Sequence, residues 1–182
     1  HLDQVLAGEL TPMFFGSAMT NFGVRNFLEE YLRLAPAPQP HESTAGTIMP
    51  EDEKFSAFVF KIQANMNPAH HDRLAFIRIC SGKFARNMQV FHVQGDKVIK
   101  LSQPQQFLAQ DRQIIDEAYP GALVGLFDPG IFGIGDTICD IKKKFKFADF
   151  PVFPPERFAR VEAKDTMKRK QFIKGITQLT QE

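Results

Sequence analysis

Four groups of residues in this chain have types and spacings that could do chemistry. Gly16-Ser17-Ala18 sits between a short apolar run, residues 11–15, and an amphipathic stripe of Val24, Phe27, Leu28, Tyr31 and Leu32. A small-residue turn at the C-terminal end of a strand is where open α/β sheets bind ligands, and it is equally a plain strand-to-helix connection. Residues 140–147, DIKKKFKF, hold the densest positive charge, with Lys142, Lys143, Lys144 and Lys146 alternating in part with Phe145 and Phe147. Such lysines either protect a strand edge or act as point charges on a phosphate backbone, giving salt-dependent affinity without base specificity. Arg73 and Arg78 add charge to a strand, as a salt-linked edge with Asp72 or as a contact surface. His70, His71 and Asp72 carry metal-ligand types, but adjacent side chains on an extended segment point to opposite faces, so a surface turn is the expectation. Cys80 and Cys139 lack CxxC spacing and sit in strand-like runs, which reads as reduced buried thiols. The chain contains no GxxxxGK[ST] loop and no Asn-Lys-x-Asp, so the phosphate end of a nucleotide site is not supplied by these residues.

The elements that must position these groups follow from periodicity. Residues 1–10 read as the tail of a helix, 11–15 as a buried strand, and Asn21 as the side-chain cap of a helix beginning near Phe22. That rhythm is α/β. Residues 36–54 then form a linker: Pro36, Pro38 and Pro40 forbid a helix and keep the chain semi-extended. From 55 to 150 the pattern turns to strand. In the run at 55–62, Phe58, Phe60 and Ile62 fall on one side and Ala57, Val59 and Lys61 on the other. In the run at 73–80, Ala75, Ile77 and Ile79 oppose Leu74, Phe76, Arg78 and Cys80. Further apolar runs at 88–93, 98–101, 123–127 and 131–138 are separated or interrupted by Gly, Pro and Asp turns, which predicts a barrel or sandwich. The stretch 105–118 fits a short helix or a strand. A second proline boundary, PVFPP, precedes a strand-like run at 156–164 and a helix capped by Asp165, with Phe172, Ile173, Ile176 and Leu179 as its apolar stripe and Lys168, Arg169, Lys170 and Lys174 on its polar side.

Composition supports a globular chain with a sizeable core: 19 of 182 residues are Phe, whereas disordered chains are poor in aromatics. Lysines and arginines number 22 against 21 acids, so any basic surface must arise from local clustering. No apolar run approaches the roughly 20 residues needed to span a bilayer, and no signal peptide is present. A cytoplasmic location without membrane contact is therefore expected.

One stretch goes beyond pattern. IQANMNPAHHDRLAFIRICSGKF resembles the start of the second domain of the peptide chain release factor 3 family, bacterial translational GTPases. PGALVGLF and IGDT resemble later strands of the elongation-factor-Tu-like barrel that forms this domain. Ala122 departs from the aspartate usual after Pro-Gly, which implies a lost turn hydrogen bond. FPPERFARVEAKDTMKRKQFIKGITQL resembles the opening strand and helix of the family's third domain. Gly16, Ser17 and Ala18 resemble the fifth guanine-nucleotide motif, in which the alanine N–H faces the guanine carbonyl and the serine braces the loop.

The resemblance implies a mainly β fold: a translation-factor β-barrel at 55–150, preceded by a C-terminal remnant of an α/β GTPase domain at 1–35 and the linker at 36–54. It is followed at 151–182 by the first strand and helix of an α+β third domain. The start at His1 without methionine fits an excised piece, with the phosphate-binding parts upstream. The implied parent binds GTP or GDP with magnesium and acts on the terminating ribosome. There it promotes departure of the class I release factor. This chain would be its non-catalytic region, without bound cofactor or GTP turnover. Arg73, Arg78, Lys142, Lys143, Lys144 and Lys146 are the expected ribosomal-RNA contacts, and the apolar surface of residues 1–35 favours self-association. The alternatives are the barrel of another translational GTPase, or a stand-alone RNA-binding barrel that would need Phe145 and Phe147 exposed among the lysines.

Overall fold

The computed structural model describes residues 2–64, 73–101, 105–108, 111–151 and 153–180. It divides into two compact units, His1–Gln39 and Pro40–Glu182. The first unit holds α1 (Leu2–Leu6) and α2 (Val24–Leu34). Residues 11–15 form no strand, because a strand persists only where its amides meet a neighbouring ladder, and among the described residues the only bridge nearby joins Ser17 to Phe22. The helix starts later than expected. Its N-cap is Gly23, at φ 70, without a side-chain cap, while Asn21 lies in the preceding turn at φ 58. A Cβ on Gly23 would meet the Phe15 carbonyl oxygen at 2.5 Å, so this close approach of backbone to backbone requires glycine. The apolar stripe forms as expected, yet α2 buries none of its residues.

In the second unit a hairpin of β1 (His41–Ser43) and β2 (Gly46–Ile48) occupies part of the stretch expected to be a semi-extended linker. The barrel strands follow: β3 (Ser56–Ala64), β4 (Arg73–Ser81), β5 (Phe84–Ala85), β6 (Gln89–His92), β7 (Lys97–Lys100), β8 (Gln105–Leu108), β9 (Asp111–Ile114), β10 (Glu117–Ala118), β11 (Leu123–Phe127) and β12 (Thr137–Cys139). Their main sheet is antiparallel throughout, in the order β7-β6-β12-β3-β4-β11-β8-β9, and β5 pairs separately with β10. The sheet curls into a half-barrel around Ala57, Val59, Ile77, Ile79, Val90, Val124, Leu126 and Ile138, all at most 1 % exposed. The expected mainly β, elongation-factor-Tu-like fold is the one observed. Within the stretch 105–118 the described residues form β8, β9 and β10 and no helix, whereas the expected strand at 131–138 contracts to β12.

Strict alternation fails in β3. Val59 pairs with Ile77 and Lys61 with Phe76, so Phe60 is an extra residue in the ladder. This bulge shifts the phase: the core receives Ala57, Val59 and then Ile62, while Phe58 and Phe60 are only half-buried. Ile62 therefore lies with the inward set, not with Phe58 and Phe60 as the sequence pattern predicts. After β4 the turn at Gly82 (φ 66) passes so close to residues 53–55 that a Cβ would lie 2.6 Å from the Phe55 nitrogen. No side chain fits there.

A second apolar layer covers the outside of the sheet. Ile48 from β2, Cys80, Phe91, Cys139, Phe145 and Phe147 are buried together, with Phe58 and Val93 packed against them. Residues 140–147 are not the expected strand. They turn at 141–143 and then run extended to a single bridge between Phe147 and Ser43. Beyond residue 150, the expected strand at 156–164 has no ladder partner among the described residues and stays exposed. Asp165 does cap the following turn, its Oδ1 accepting the Met167 N–H at 2.9 Å. The 3-10 turn Thr166–Lys168 leads into α3 (Arg169–Leu179), which buries no residue. No helix among the described residues is long and apolar enough to cross a membrane.

Candidate functional site

The loop at Gly16-Ser17-Ala18 lies immediately before α2. The Ser17 N–H donates to the Phe22 carbonyl at 2.9 Å, closing a small loop. A Cβ on Gly16 would meet that same oxygen at 3.0 Å, so both glycines flanking the loop let its two limbs touch. Ala18 is exposed, and its N–H makes no hydrogen bond among the described residues. Pro12, Met13, Phe15, Ser17, Ala18 and Phe27 line an open cavity of about 440 Å³ against the loop. The arrangement can present a backbone donor to a planar ligand lying on an apolar wall.

In the second unit the positive residues split into two kinds. Arg73 is 12 % exposed, with its Nε 2.7 Å from Asp128 Oδ2 and its Nη2 donating to the Phe132 carbonyl at 2.7 Å. Asp128 is fully buried, and its Oδ1 accepts the N–H groups of Gly130 and Ile131, both at 2.8 Å, and of Phe132 at 3.3 Å. This carboxylate organises the turn after β11, and Arg73 neutralises it. Arg73 is thus built into the fold. Arg78 differs: its half-buried side chain makes no ion pair or hydrogen bond among the described residues, and its cross-strand partners are Phe58 and Leu123.

Lys142, Lys143 and Lys144 are exposed around the turn at 141–143. Asp140 shapes that turn: its Oδ1 accepts the Lys142 N–H at 2.8 Å and its carbonyl the Lys143 N–H at 3.1 Å. Lys144 Nζ sits 3.7 Å from the centre of the Phe91 ring, a cation–π contact, and Lys146 pairs with Asp149 at 2.7 Å. Phe145 and Phe147 are each only 5 % exposed. These rings do not stand exposed among the lysines, as a stand-alone RNA-binding barrel would need. The spacing that signalled alternation was correct, but its apolar side faces the outer layer.

Sequence reasoning missed a third feature on the same layer. His41 from β1 meets Phe58 and Phe147 edge-on, at ring distances of 5.6 and 5.9 Å. Phe58 meets Phe150 at 5.4 Å. Burial, and secondarily the Arg78 charge, lower the His41 pKa below its usual value. The signal was hidden because His41 lies in a proline-flanked polar stretch, and only the hairpin folds it against the sheet. Burial also pushes the Cys80 thiol up to about 12 and raises that of Cys139, so neither is a nucleophile. No metal-binding cluster of His, Cys, Asp and Glu occurs among the described residues. The His70-His71-Asp72 stretch lies outside them.

Known proteins with similar sequences can be set against this geometry. Residues 54–141 match the family described as elongation factor G domain 2, the region of the curled sheet. Peptide chain release factor 3 of Symbiobacterium thermophilum is 58% identical over 180 residues, covering 99% of this chain and 34% of the relative. Those of Listeria welshimeri and Acaryochloris marina are 54% identical, covering 99% and 100% of this chain and 34% and 33% of the relatives. The chain belongs to the peptide chain release factor 3 family. It spans about a third of the length of these curated relatives, and the match runs through the loop before α2, the half-barrel and α3. The release factor 3 resemblance noted in IQANMNPAHHDRLAFIRICSGKF therefore extends over practically the whole chain.

Proposed function

We propose that this chain is the barrel region of a GTP-dependent translation termination factor that promotes departure of class I release factors from the ribosome. The observation carrying this reading is the 58% identity to a peptide chain release factor 3 across 99% of the chain. In this reading residues 1–35 belong to a GTPase domain, 36–54 connect it, 55–150 form the translation-factor barrel and 151–182 begin a third domain. Gly16, Ser17 and Ala18 receive the guanine base, the free Ala18 N–H donating to its carbonyl oxygen. The parent uses GTP or GDP with magnesium and works in the cytoplasm. Catalysis of phosphoryl transfer needs phosphate-cradling amides, a lysine and magnesium ligands acting together, and the chain lacks the motifs that supply them.

The exposed lysines at 142–144, together with Arg78, supply the ribosomal-RNA contact. Lys146 belongs to that surface when its pair with Asp149 opens, and Arg73 supports it from beneath. The test uses the intact factor on terminated ribosomes carrying a labelled class I release factor. GTP-dependent loss of the label is expected, together with ribosome-stimulated hydrolysis, while the 182-residue chain alone should show no turnover. Label retention with hydrolysis intact would reject the recycling role. Hydrolysis by the chain alone would reject its assignment as the non-catalytic region.

A further inference from the structure

We infer that the recess lined by His41, Phe58, Phe147 and Phe150 on the outer layer of the barrel seats a single unstacked nucleobase of RNA. The recess has a volume of about 200 Å³, with Glu42, Gly135 and Ala148 completing its lining. Drug-sized ligands need roughly 300 Å³ or more, so one flat ring is the occupant the space favours. Its walls are aromatic on several sides. Phe58 and Phe147 stand 6.0 Å apart with their planes at 75°, His41 is steeply inclined to both, and Phe150 remains 40% exposed at the rim. Phe150 lies over Gly135, where an added Cβ would make ordinary van der Waals contact with its ring at 3.6 Å.

Three observations select a base over other flat groups. The His41 ring makes no hydrogen bond among the described residues, leaving one donor and one acceptor for a ligand edge when the imidazole is neutral. Burial and the neighbouring Arg78 both favour that neutral form. The half-buried Arg78 guanidinium lacks an ion pair and Phe58 is its cross-strand partner, placing a phosphate-binding group beside the aromatic walls. The exposed lysines at 142–144 extend positive charge over the same outer layer, which suits a polyanion and disfavours a cationic side chain. Stacking on aromatic walls beside a basic surface is how single-stranded nucleic acid is held without sequence preference.

The inference rests on the reading that the barrel meets RNA, and one titration separates the two. The 182-residue chain is added to a short single-stranded RNA with a terminal fluorescein and an internal 2-aminopurine. Anisotropy reports binding and 2-aminopurine quenching reports stacking. Wild type should raise the anisotropy and quench. Phe150→Ala should weaken binding about thirtyfold, the mid-range loss for one stacked base, and relieve the quench. Phe150→Tyr should restore both, and Arg78→Gln should weaken binding with the quench at saturation retained. Replacing Lys142 and Lys143 by Gln should lower affinity and the salt slope by ~0.7 per lysine while leaving the quench intact. Binding without quenching, or quenching indifferent to Phe150→Ala, overturns the base recess and leaves the lysine surface standing. No change in anisotropy overturns both. Circular dichroism melts confirm that each variant is folded.

Discussion

The two units meet the same problem, an apolar stripe, with opposite outcomes. In the barrel, Ala57, Val59, Ile77 and Val124 are all 0 % exposed, because each strand hands its inward side chains to neighbours across a curled sheet. In the first unit, α2 carries a stripe of comparable regularity, yet Phe27 is 41 %, Leu28 51 % and Leu32 80 % exposed. Amphipathicity is thus a demand for a partner, met in one region and only partly in the other, where Phe14 meets Phe27 edge-on at 5.4 Å. The barrel also buries charge, in the Arg73–Asp128 pair, whereas the ion pairs of α2, Arg25–Glu29 and Arg33–Glu30, stay at the surface. The comparison predicts where substitutions will be costly.

The largest effect is expected at Asp128. Its replacement by Ala removes the carboxylate that neutralises the mostly buried Arg73 guanidinium and strands three backbone N–H groups that now share one carboxylate oxygen. Removing one partner of a buried ion pair costs about 3–5 kcal/mol, and urea denaturation of the chain should register a loss of that order. Asp128→Asn keeps an oxygen for the turn and should lose less. Equal losses for the two variants would mean that the ion pair, not the turn, carries the stabilisation.

Phe145→Ala tests whether the outer layer is as well packed as the inside of the barrel. A fully buried phenylalanine truncated to alanine costs about 3–5 kcal/mol, so a loss above 2 kcal/mol is expected here. Leu32→Ala in α2 should stay within about 0.5 kcal/mol, the usual range for surface changes. Similar losses at the two positions would erase the contrast between the regions.

How much of this was legible in the sequence follows the same division. The strand pair at 55–62 and 73–80 announced itself through alternation and β-branched residues, and β6, β7 and β11 fell close to the runs predicted for them. The bulge at Phe60 was not legible, because an extra residue in one strand leaves the local pattern untouched and alters only the pairing. The hairpin of His41 and Ile48 was hidden by its polar, proline-flanked surroundings. The strand expected at 131–138 formed only at its end, as β12, for a chemical reason: Asp128 and Asp136 turn their carboxylates onto backbone N–H groups and hold the preceding segment in turns. Of the candidate site, the exposed lysines and the loop before α2 could be named in advance. The burial of Arg73 and the recess beside Arg78 depend on long-range packing, which no local spacing encodes.

A pH titration separates the outer layer from the core more gently. His41 has a folded pKa below its usual value of 6.5 through burial first and Arg78 second. Below that value the unfolded chain binds a proton more readily than the folded one, so stability is fully present above about 6.5 and declines as pH falls through the folded pKa. His41→Phe should flatten this part of the profile, and Arg78→Gln should flatten it only in part, since burial is the larger cause. At the other end, Cys80, raised to about 12 from 9.0, should resist alkylation at pH 8. Its thiolate there is roughly a thousandfold scarcer than for an unperturbed thiol, a factor of ten per unit. Rapid labelling of the folded chain would show that the outer layer opens readily.

The smallest expected change in stability carries the clearest information about the first unit. If the stripe of α2 lacks a partner within this chain, copies of the chain should supply one to each other, because exposed apolar patches favour association. Leu32→Glu leaves the helix and its surface ion pairs in place, adds charge to the most exposed leucine of the stripe, and should barely move the melting temperature. It should nevertheless shift light scattering toward monomer, whereas a matching charge at Leu123 on the barrel, 46 % exposed, should not. Scattering that reports a strict monomer for the unmodified chain over a wide concentration range would mean that an apolar stripe of this size tolerates solvent. Association abolished by the barrel change instead would move the self-contact to the sheet.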